Sequence, residues 1–452
     1  MQEFTIEEAR QASNGEYIKR ADGIITGVTI DSRNVGEGML FVPIVGERTD
    51  GHNYIAQAFE KGAAAALCER EGADGNGAVI GVSSSVEAIG KIAYAYKQKY
   101  NVPTVGVTGS VGKTGTKDMI AAVMSRLGPC LKTAGNFNNE LGLPLTVFGL
   151  EKEHKSTVLE MGMSAFGEIH HLVDIARPDV GVITNVGMSH IENLGSREGV
   201  LRAKLEIADF FGKGNLLIIN ADNDMLSTVS KDTEYEILTF GIENKADYTA
   251  ENIEDLGFLG SSFTAVTPKG RFEVKLSVLG LHNVYNALSA IAVGEHYGIA
   301  HADIANALSG FEPTAMRLGV ERFGGIVLIN DCYNASPDSI KASLNVLKNA
   351  EGRRVAVLGD VLELGEFAKE AHTDIGKACE GKCDLVITAG ENARYIKEAA
   401  AAAGVRAEYY PTTEEAAKAA AETVAVGDTV LVKASRGMHF EKVCEAIGEK
   451  MK

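Results

Sequence analysis

The sequence lacks two features that would each assign it to a large class of proteins. It has no surplus of positive charge, because 44 lysines and arginines are outnumbered by 61 acidic residues and the formal net charge is −17. We therefore do not expect nucleic acid as a partner, since neutralising its phosphates needs an excess of cations. No apolar run reaches the roughly 18 residues that a membrane-spanning helix needs, so we expect no stable membrane insertion.

Paired cysteines, a signal peptide and a dinucleotide fingerprint are also missing. The six cysteines are scattered and none forms a C-x-x-C pair, which favours reduced, structural thiols. The first ten residues, MQEFTIEEAR, are acidic and contain no apolar signal core. No G-x-G-x-x-G occurs, so a dinucleotide site has no support. We expect a cytoplasmic protein.

An alternation of strands and helices is present along the whole chain. At about 100–200 residues per domain, 452 residues predict three domains, with two as the alternative. Continuously apolar strands indicate a doubly wound parallel sheet of the P-loop type. We predict an α/β protein with a small N-terminal α/β domain at 1–100, a central domain at 101–312 and a C-terminal Rossmann-like domain at 313–452. A β-rich excursion is expected near 246–279.

The stretch VGVTGSVGKTGTK at 105–117 resembles a phosphate-binding loop but departs from the strict pattern. G-x-x-x-x-G-K-[ST] requires a glycine at 107, where this chain has Val107. Small residues between a strand and a helix let backbone N–H groups turn toward phosphate, and the helix N-terminus adds partial positive charge. We predict that Lys113 reaches the outer phosphates of a nucleotide and that Thr114 holds Mg²⁺. A plain strand-to-helix turn is the alternative.

Two further polar side chains follow apolar strands. STVLEMG places Glu160 at a strand end, and VGVITNVGMSH places His190 just beyond another. Ligands of doubly wound sheets bind outside the carboxyl ends of the strands, so these residues and Thr114 are candidates to bind one or two divalent cations. Mg²⁺ prefers oxygen ligands, and Mn²⁺ is an alternative where an imidazole takes part. A structural or capping role is the alternative for His190.

Other polar residues are ambiguous by residue type alone. Lys204 reads as a solvated helix lysine, and Asn136 and Asn139 read as turn residues. Asn283 and Asn286 fall near a helix start, where they would either cap the helix or present amides to a base edge.

Several segments together resemble one protein family. The loop TGSVGKTGTK is similar to the phosphate loop of the Mur ligases, which lacks the first P-loop glycine. The resemblance covers essentially the whole chain, and its segments are IDSRNVGEGMLFVPIVGERTDGHNYI, TAGNFNNELGLP, LEMG, HIENLGSREGVLRAKLEI, LHNVYNALSA, NDCYNASPDS, VLGDVLELGE and LVKASRGMHFEKV. It implies three domains and an ATP-dependent amide ligase of peptidoglycan precursor synthesis.

The resemblance also implies the substrates. YNASPDS and GDVLELGE are similar to the family members that add D-alanyl-D-alanine to UDP-N-acetylmuramoyl-tripeptide through an acyl phosphate, and the Asp-Asn-Pro motif of a sibling is absent. Meso-diaminopimelate and L-lysine both remain open as the third residue of the tripeptide. The alternatives are a sibling or folylpolyglutamate-synthase-like ligase and a nucleotide-binding regulatory protein. We expect a monomer.

The resemblance implies roles for individual residues. Catalysis is assigned to Lys113, Glu160, His190 and Lys204. The ATP contacts are Gly109, Ser110, Gly112, Lys113, Thr114, Asn283, Asn286, Arg317 and Asp331. The Mg²⁺ ligands are Thr114, Glu160, His190 and, once carbamylated, Lys204. The UDP-substrate contacts are Ser32, Arg33 and Asp50, and the substrate contacts Asn136 and Asn139 lie near either the γ-phosphate or the UDP-sugar. The contacts for the dipeptide and for closure of the last domain on ATP are Tyr333, Asn334, Ser336 and Lys433.

Overall fold

The computed structural model describes residues 1, 3–70, 75–312 and 316–451. Contacts within the chain divide it into two compact units. The first comprises Met1–Thr108, Met124–Gly181 and Glu206–Leu216, and the second comprises Gly109–Val123, Val182–Leu205 and Leu217–Lys452. The boundary predicted at 312/313 borders residues 313–315, which lie outside the described residues.

A small α/β arrangement occupies the N-terminal part of the first unit. Its strands are β1 (Phe4–Thr5), β2 (Glu16–Lys19), β3 (Ile24–Ile25), β4 (Gly27–Thr29), β5 (Met39–Phe41), β6 (Ala65–Cys68) and β7 (Ala78–Gly81), and its helices are α1 (Ile6–Ala12), α2 (Ile55–Glu60) and α3 (Ser85–Lys97). The sheet order is β2-β7-β6-β5-β4, and β1 pairs with β3. β5 ends at Phe41, two residues before Pro43, which has no N–H to donate to a neighbouring strand.

The central part of the chain forms a nine-stranded, mostly parallel sheet. Its strands are β8 (Thr104–Thr108), β9 (Cys130–Lys132), β10 (Ser156–Glu160), β11 (Val180–Ile183), β12 (Leu216–Asn220), β13 (Glu236–Gly241), β14 (Tyr248–Asp255), β15 (Ser261–Thr267) and β16 (Gly270–Leu276). The order is β16-β15-β14-β13-β12-β11-β8-β10-β9. The predicted β excursion is the antiparallel run β14–β16.

Seven helices belong to this central stretch of the described chain. They are α4 (Lys113–Met124), α5 (Gly142–Val147), α6 (Glu168–Ala176), α7 (Ile191–Leu194), α8 (Arg197–Leu205), α9 (Leu281–His296) and α10 (His301–Ser309). The described 3₁₀ turns of the whole chain are Ser32–Asn34, Gly51–Tyr54, Ser125–Leu127, Glu206–Ala208, Leu226–Thr228, Gly257–Leu259, Gly365–Phe367 and Arg436–Met438.

The C-terminal part of the second unit is a six-stranded α/β sheet. Its strands are β17 (Gly319–Phe323), β18 (Ile326–Asn330), β19 (Arg353–Gly359), β20 (Leu385–Ala389), β21 (Arg406–Tyr410) and β22 (Asp428–Lys433), and its helices are α11 (Pro337–Lys348), α12 (Ala368–Lys377), α13 (Ala393–Ala402), α14 (Thr413–Thr423) and α15 (Glu441–Met451). The order is β17-β18-β22-β19-β20-β21, with β17 antiparallel. The two edge strands, β17 and β21, carry polar, partly exposed residues and have no apolar run.

The inner strands of this sheet are apolar at consecutive positions because both faces are covered. In β19, Val357 belongs to one buried cluster and Leu358 to the other. Leu431 and Val432 in β22 divide in the same way. Alternate residues of a strand point to opposite faces, so continuous apolar runs indicate a two-sided core. The predicted α/β class is confirmed.

Candidate active site

The loop between β8 and α4 follows a backbone course that requires glycine at two positions. Gly109 has φ +148° and Gly112 has φ +85°. A Cβ on Gly109 would lie 1.8 Å from the Thr184 Oγ1. Val107 is buried within β8, so the glycine that the turn requires comes two residues later than in the ordinary P-loop.

Hydrogen bonds from the segment that follows β11 hold this loop in place. The Ser110 N–H donates to the Asn185 carbonyl at 3.1 Å, and the Val111 N–H donates to the Asn185 Oδ1 at 2.8 Å. The Ser110 Oγ accepts the Gly187 N–H at 2.9 Å. The Lys113 Nζ donates to the Gly109 carbonyl at 2.7 Å, so its ammonium lies over the loop.

The first turn of α4 is connected to α9 through two asparagines. The Thr116 Oγ1 donates to the Asn286 Oδ1 at 2.9 Å, and the Asn286 Nδ2 donates to the Asn283 Oδ1 at 2.9 Å. A Cβ at Gly115 would lie 2.9 Å from the Asn286 Nδ2, so the close approach of the two helices needs that glycine. Asn286 is buried and bonded on both sides, and Thr114 is also buried.

Arg317 lines a small cavity beside α9. The cavity has a volume of about 130 Å³, and its walls include Phe258, Leu279, Asn283 and Leu318. The Arg317 guanidinium lies 4.2 Å from the centre of the Tyr333 ring. Its Nε is buried and has no hydrogen-bond partner among the described residues. A buried donor without a partner is costly, so this atom is suited to receive an acceptor from a ligand.

Lys204 is buried, which corrects the reading of it as a solvated lysine. Its exposed fraction is 2%. Val200 and Ala203 are buried on the same face of α8. Ala203 and Lys204 lie three and four residues after Val200, a spacing typical of a buried helix face, and we did not use this signal in the sequence. Burial, and then the positive charge of Lys113, hold the pKa of the Lys204 amine well below its usual value. A lowered pKa favours the neutral, nucleophilic form of this amine.

His190 lies at the start of the short helix α7 and contacts a glutamate from the loop after β19. Its backbone is left-handed, with φ +58°. The His190 Nδ1 lies 2.7 Å from the Glu363 Oε2. Nothing in the sequence indicated that these two residues pair, because they lie far apart in the chain.

Glu160 ends β10 and is held by a neighbouring loop of the first unit. Its Oε1 accepts the Asn138 Nδ2 at 2.8 Å, and its N–H donates to the Thr133 Oγ1 at 2.9 Å. Asn138 is thus the asparagine of this loop that contacts Glu160. The Asn139 Oδ1 accepts the Gly142 N–H at 2.8 Å, and Asn136 is exposed in a turn.

Asp331 and Lys433 form a buried ion pair at the carboxyl ends of β18 and β22. The Lys433 Nζ lies 2.7 Å from the Asp331 Oδ2 and 3.0 Å from the Asn334 carbonyl. The Ser343 Oγ donates to the same Asp331 oxygen at 2.6 Å. The Ser336 side chain caps α11, so it has a structural contact within the described chain.

The three candidates near the N-terminus belong to two capped turns of the first unit. The exposed Arg33 guanidinium pairs with Asp31 at 2.7 Å, and the Ser32 carbonyl accepts the Lys61 Nζ at 2.9 Å. The Asp50 Oδ1 accepts the His52 N–H at 2.9 Å, and Asp50 also pairs with the side chain of Arg70.

The described acidic, histidine and cysteine side chains do not by themselves form a metal site. Within residues 1, 3–70, 75–312 and 316–451, no three His, Cys, Asp or Glu side chains come together in a way that could hold a metal ion. Over the same residues, no helix combines the length and apolar character needed to cross a membrane.

Comparisons with known proteins agree along the length of the chain. Residues 24–106 match the Mur ligase family, catalytic domain, residues 107–294 match the Mur ligase middle domain, and residues 316–436 match the Mur ligase, glutamate ligase domain. The UDP-N-acetylmuramoyl-tripeptide–D-alanyl-D-alanine ligase of Bacillus subtilis is 41% identical over 94% of each chain. The chain belongs to the Mur ligase family.

Two solved Mur ligases show the same likeness in three dimensions. A MurF structure from Acinetobacter baumannii has 30% identity and a TM-score of 0.92 over 99% of each chain. A MurF ligase from Thermotoga maritima in complex with ADP has 31% identity and a TM-score of 0.84, covering 94% of this chain and 97% of that one. The predicted membership of the Mur ligases is confirmed.

Two contacts of this Mur ligase were not predicted from its sequence. Asn138 lies within the quoted segment TAGNFNNELGLP, but the sequence does not distinguish it from the other two asparagines of that loop. Glu363 lies within the quoted segment VLGDVLELGE, but nothing in that segment indicated contact with a histidine 173 positions away.

Proposed function

We propose that this Mur ligase uses ATP to join D-alanyl-D-alanine to UDP-N-acetylmuramoyl-tripeptide, giving UDP-N-acetylmuramoyl-pentapeptide for peptidoglycan synthesis. The observation that carries the proposal is the near-full-length similarity to relatives that bear this activity in their names. The phosphate loop supports it, because its backbone is shaped for nucleotide phosphates.

The reaction needs ATP because a carboxylate is a poor electrophile. A carboxylate oxygen of the tripeptide attacks the γ-phosphorus of ATP, the β–γ bond breaks, and an acyl phosphate and ADP form. The amine of D-alanyl-D-alanine then attacks the carbonyl carbon. The tetrahedral intermediate loses inorganic phosphate, the nitrogen loses a proton, and the amide remains. Cationic groups stabilise the charge that builds up on the transferring phosphoryl group.

The phosphate loop holds ATP in this proposal. Backbone N–H groups from Gly109 to Thr114 and the positive end of α4 face the phosphates. The Lys113 ammonium, now bonded to the Gly109 carbonyl, reaches the β- and γ-phosphates. The buried Arg317 Nε donates to the nucleotide, and the amide of Asn283 contacts the adenine from the wall of the same cavity.

One or two Mg²⁺ ions complete the site in this proposal. Glu160 supplies a buried carboxylate and Thr114 a buried hydroxyl, and Mg²⁺ is typically held by one or two carboxylates together with substrate phosphates. His190 is the proposed ligand for a second ion. When bound, Mg²⁺ neutralises phosphate charge.

Lys204 completes this set as a carbamate. The lowered pKa favours the neutral amine. In this proposal that neutral amine attacks CO₂: a C–N bond forms, one C=O π bond opens, one proton is released, and the lysine becomes an anionic oxygen donor. Carbamylation also removes the repulsion between Lys204 and Lys113.

The remaining predicted contacts stay part of the proposal. Residues 1–100 bind the UDP end of the substrate, residues 101–312 bind ATP, and residues 313–452 close on ATP and bind the dipeptide. The UDP-substrate contacts are Ser32, Arg33, Asp50, Asn136 and Asn139. The nucleotide contacts from the last two domains include Asn286 and Asp331, and the dipeptide contacts are Tyr333, Asn334, Ser336 and Lys433. We also propose a cytoplasmic monomer with no nucleic-acid partner.

The test is phosphate release from ATP by purified protein with Mg²⁺ and UDP-N-acetylmuramoyl-tripeptide. D-alanyl-D-alanine is added, omitted or replaced by single amino acids. Release that requires the dipeptide, with the UDP-pentapeptide found by mass spectrometry, supports the proposal. Release with a single amino acid in place of the dipeptide would assign the chain to a sibling activity, and no release with any acceptor would contradict ligation.

A further inference from the structure

Arg317 lies between two residues whose backbone conformation is rare for L-residues. Met316 has φ +60° and Leu318 has φ +52°. Left-handed non-glycine residues cost energy and persist only where the surroundings determine them. The conformation of this segment therefore depends on contacts from elsewhere in the fold.

Those contacts come from the loop that follows β18. The Met316 carbonyl accepts the Tyr333 N–H at 3.2 Å, and the Leu318 N–H donates to the Asp331 Oδ1 at 3.1 Å. The Arg317 guanidinium lies over the Tyr333 ring. One short loop thus holds the residue before Arg317, the residue after it and the Arg317 side chain itself.

The Asp331 carboxylate can hold Leu318 in place only if the carboxylate is itself fixed. Its other oxygen, Oδ2, lies 2.6 Å from the Ser343 Oγ and 2.7 Å from the Lys433 Nζ. Asp331, Ser343 and Lys433 are all buried, and hydrogen bonds to a charged group are stronger than those between neutral groups. Because both oxygens are bonded, the plane of the carboxylate is fixed.

Ser343 is the member of this group whose position is set by a regular helix. It lies in α11, and the next residue, Leu344, is buried in the same core cluster as Leu318. The Ser343 Oγ also lies 2.8 Å from the Ser339 carbonyl, but the charged carboxylate is the stronger acceptor for its single proton. Helix α11 thus supports Leu318 through the shared core and through the Asp331 carboxylate.

We propose that Ser343 is a positioning residue for the nucleotide: it orients the Asp331 carboxylate, which fixes Leu318 and so directs Arg317 into the cavity beside α9. The inference rests on the proposed role of Arg317 in nucleotide binding and adds a residue to which the site assigns no role so far. The Arg317 Nε is buried and has no hydrogen-bond partner among the described residues, so its direction decides whether an acceptor on the nucleotide can meet it.

The first test measures nucleotide affinity without the ligation reaction. A fluorescent ATP analogue is titrated into the purified protein with Mg²⁺. Ser343→Ala removes the hydroxyl and keeps the pairing of Lys433 with Asp331, and we expect the Kd to rise about 3- to 10-fold, as for the loss of one hydrogen bond. An unchanged Kd in Ser343→Ala overturns the inference, and so does a failure of the unsubstituted protein to bind the nucleotide.

The matched control removes another buried hydroxyl from the same sheet. The Thr429 Oγ1 donates to the Glu351 carbonyl at 3.0 Å, near the end of β22 opposite to Lys433. Thr429→Val should bind the nucleotide as the unsubstituted protein does. A rise in its Kd equal to that of Ser343→Ala would show a general effect of lost packing or stability and would overturn the inference.

The second test asks whether Ser343 acts through Arg317. The Kd values of Ser343→Ala, Arg317→Ala and the double variant are compared. We expect Arg317→Ala to weaken binding and Ser343→Ala to have no further effect in that background, because no guanidinium is left to direct. The same fold-change in both backgrounds overturns the inference, as does an Arg317→Ala variant that binds the nucleotide normally.

Steady-state ligation separates this inference from the proposed function. We expect Ser343→Ala to raise the KM for ATP and to leave the KM for the dipeptide unchanged. Ser343→Cys, which keeps a weaker donor, should lie between Ser343→Ala and the unsubstituted protein. A rise in the KM for the dipeptide alone overturns the inference. If the unsubstituted protein binds the nucleotide but does not ligate, the proposed function fails, whereas the titrations still report on Ser343.

Discussion

Lys204 is buried in α8, and the positive charge of Lys113 at the start of α4 lowers the pKa of its amine. Among the described residues no carboxylate pairs with Lys204. A buried ammonium near a second positive charge is unfavourable, so the amine has a lowered pKa. The chain thus keeps a buried amine with a lowered pKa close to its phosphate loop.

Replacing Lys204 tests whether that amine becomes a carbamate. We expect Lys204→Ala to lose ligation by at least about 100-fold, because one charged oxygen donor of the proposed metal site is removed. Added short carboxylates such as formate or acetate restore part of the rate by occupying the vacated space. Lys213→Ala, which removes an exposed lysine, serves as the control. Full activity of Lys204→Ala would rule out the role.

The pH dependence of stability tests the lowered pKa directly. Between the lowered pKa and the ordinary lysine value of about 10.4, the unfolded chain binds the Lys204 proton and the folded chain does not. The free energy of unfolding of the unsubstituted protein, relative to Lys204→Met, should therefore rise with pH in this window, by at most about 1.4 kcal/mol per pH unit. It should level off above the ordinary lysine pKa.

Denaturant unfolding in CO₂-free buffer, from neutral pH to about pH 10, measures this difference. CO₂ is excluded because carbamylation would remove the titrating amine. A difference in unfolding free energy that stays flat with pH would show that the pKa is not lowered.

Alanine substitutions at two glycines with positive φ distinguish the effect of backbone strain from the effect of a steric clash. Gly109→Ala should lower the free energy of unfolding by about 1–3 kcal/mol and weaken ATP binding at least about 100-fold, because the new Cβ would overlap Thr184. At Gly167, with φ +83°, an added Cβ meets nothing within 4 Å. Gly167→Ala should cost about 1–2 kcal/mol and leave ATP affinity intact. Fluorescent-nucleotide titration and chemical denaturation measure both; equal ATP affinity in the two variants would contradict the assignment of the loop.

The asparagines of α9 should differ in their effects. Asn286 is buried between Thr116 and Asn283, so Asn286→Ala leaves buried polar atoms unpaired and should cost about 1–3 kcal/mol of stability. Asn283 lines the cavity that contains Arg317. Asn283→Ala should raise the KM for ATP about tenfold, the loss of one hydrogen bond. Thermal unfolding and steady-state kinetics are measured for both variants. A large loss of stability in Asn283→Ala together with a raised KM for ATP in Asn286→Ala would contradict these assignments.

The sequence allowed some parts of the site to be predicted and hid others, for physical reasons. Glu160 is the last residue of an apolar strand. Because the carboxyl ends of parallel strands lie at one edge of the sheet, the apolar run before Glu160 was enough to predict its location. The burial of Lys204 could also have been predicted, because Val200 and Ala203 lie on the same helix face. We interpreted Lys204 as exposed because lysines usually are, and did not use this spacing. Asn138 and Glu363 could not be found, since their contacts depend on how a loop closes.

The edge strands of the six-stranded sheet were also difficult to predict from the sequence. The inner strands of the six-stranded sheet are covered on both faces and have continuous apolar sequences. β17 and β21 lie at its edges, where polar side chains are tolerated, and their sequences resemble loops. Contacts made by few apolar residues leave little periodic signal in a sequence.

The most direct test of the account follows one oxygen atom through the reaction. UDP-N-acetylmuramoyl-tripeptide labelled with ¹⁸O in its terminal carboxylate is incubated with ATP, Mg²⁺, D-alanyl-D-alanine and the protein, and the inorganic phosphate is examined by mass spectrometry. If the carboxylate becomes an acyl phosphate, one labelled oxygen leaves in each phosphate released. UDP-pentapeptide formed with unlabelled phosphate would contradict that route.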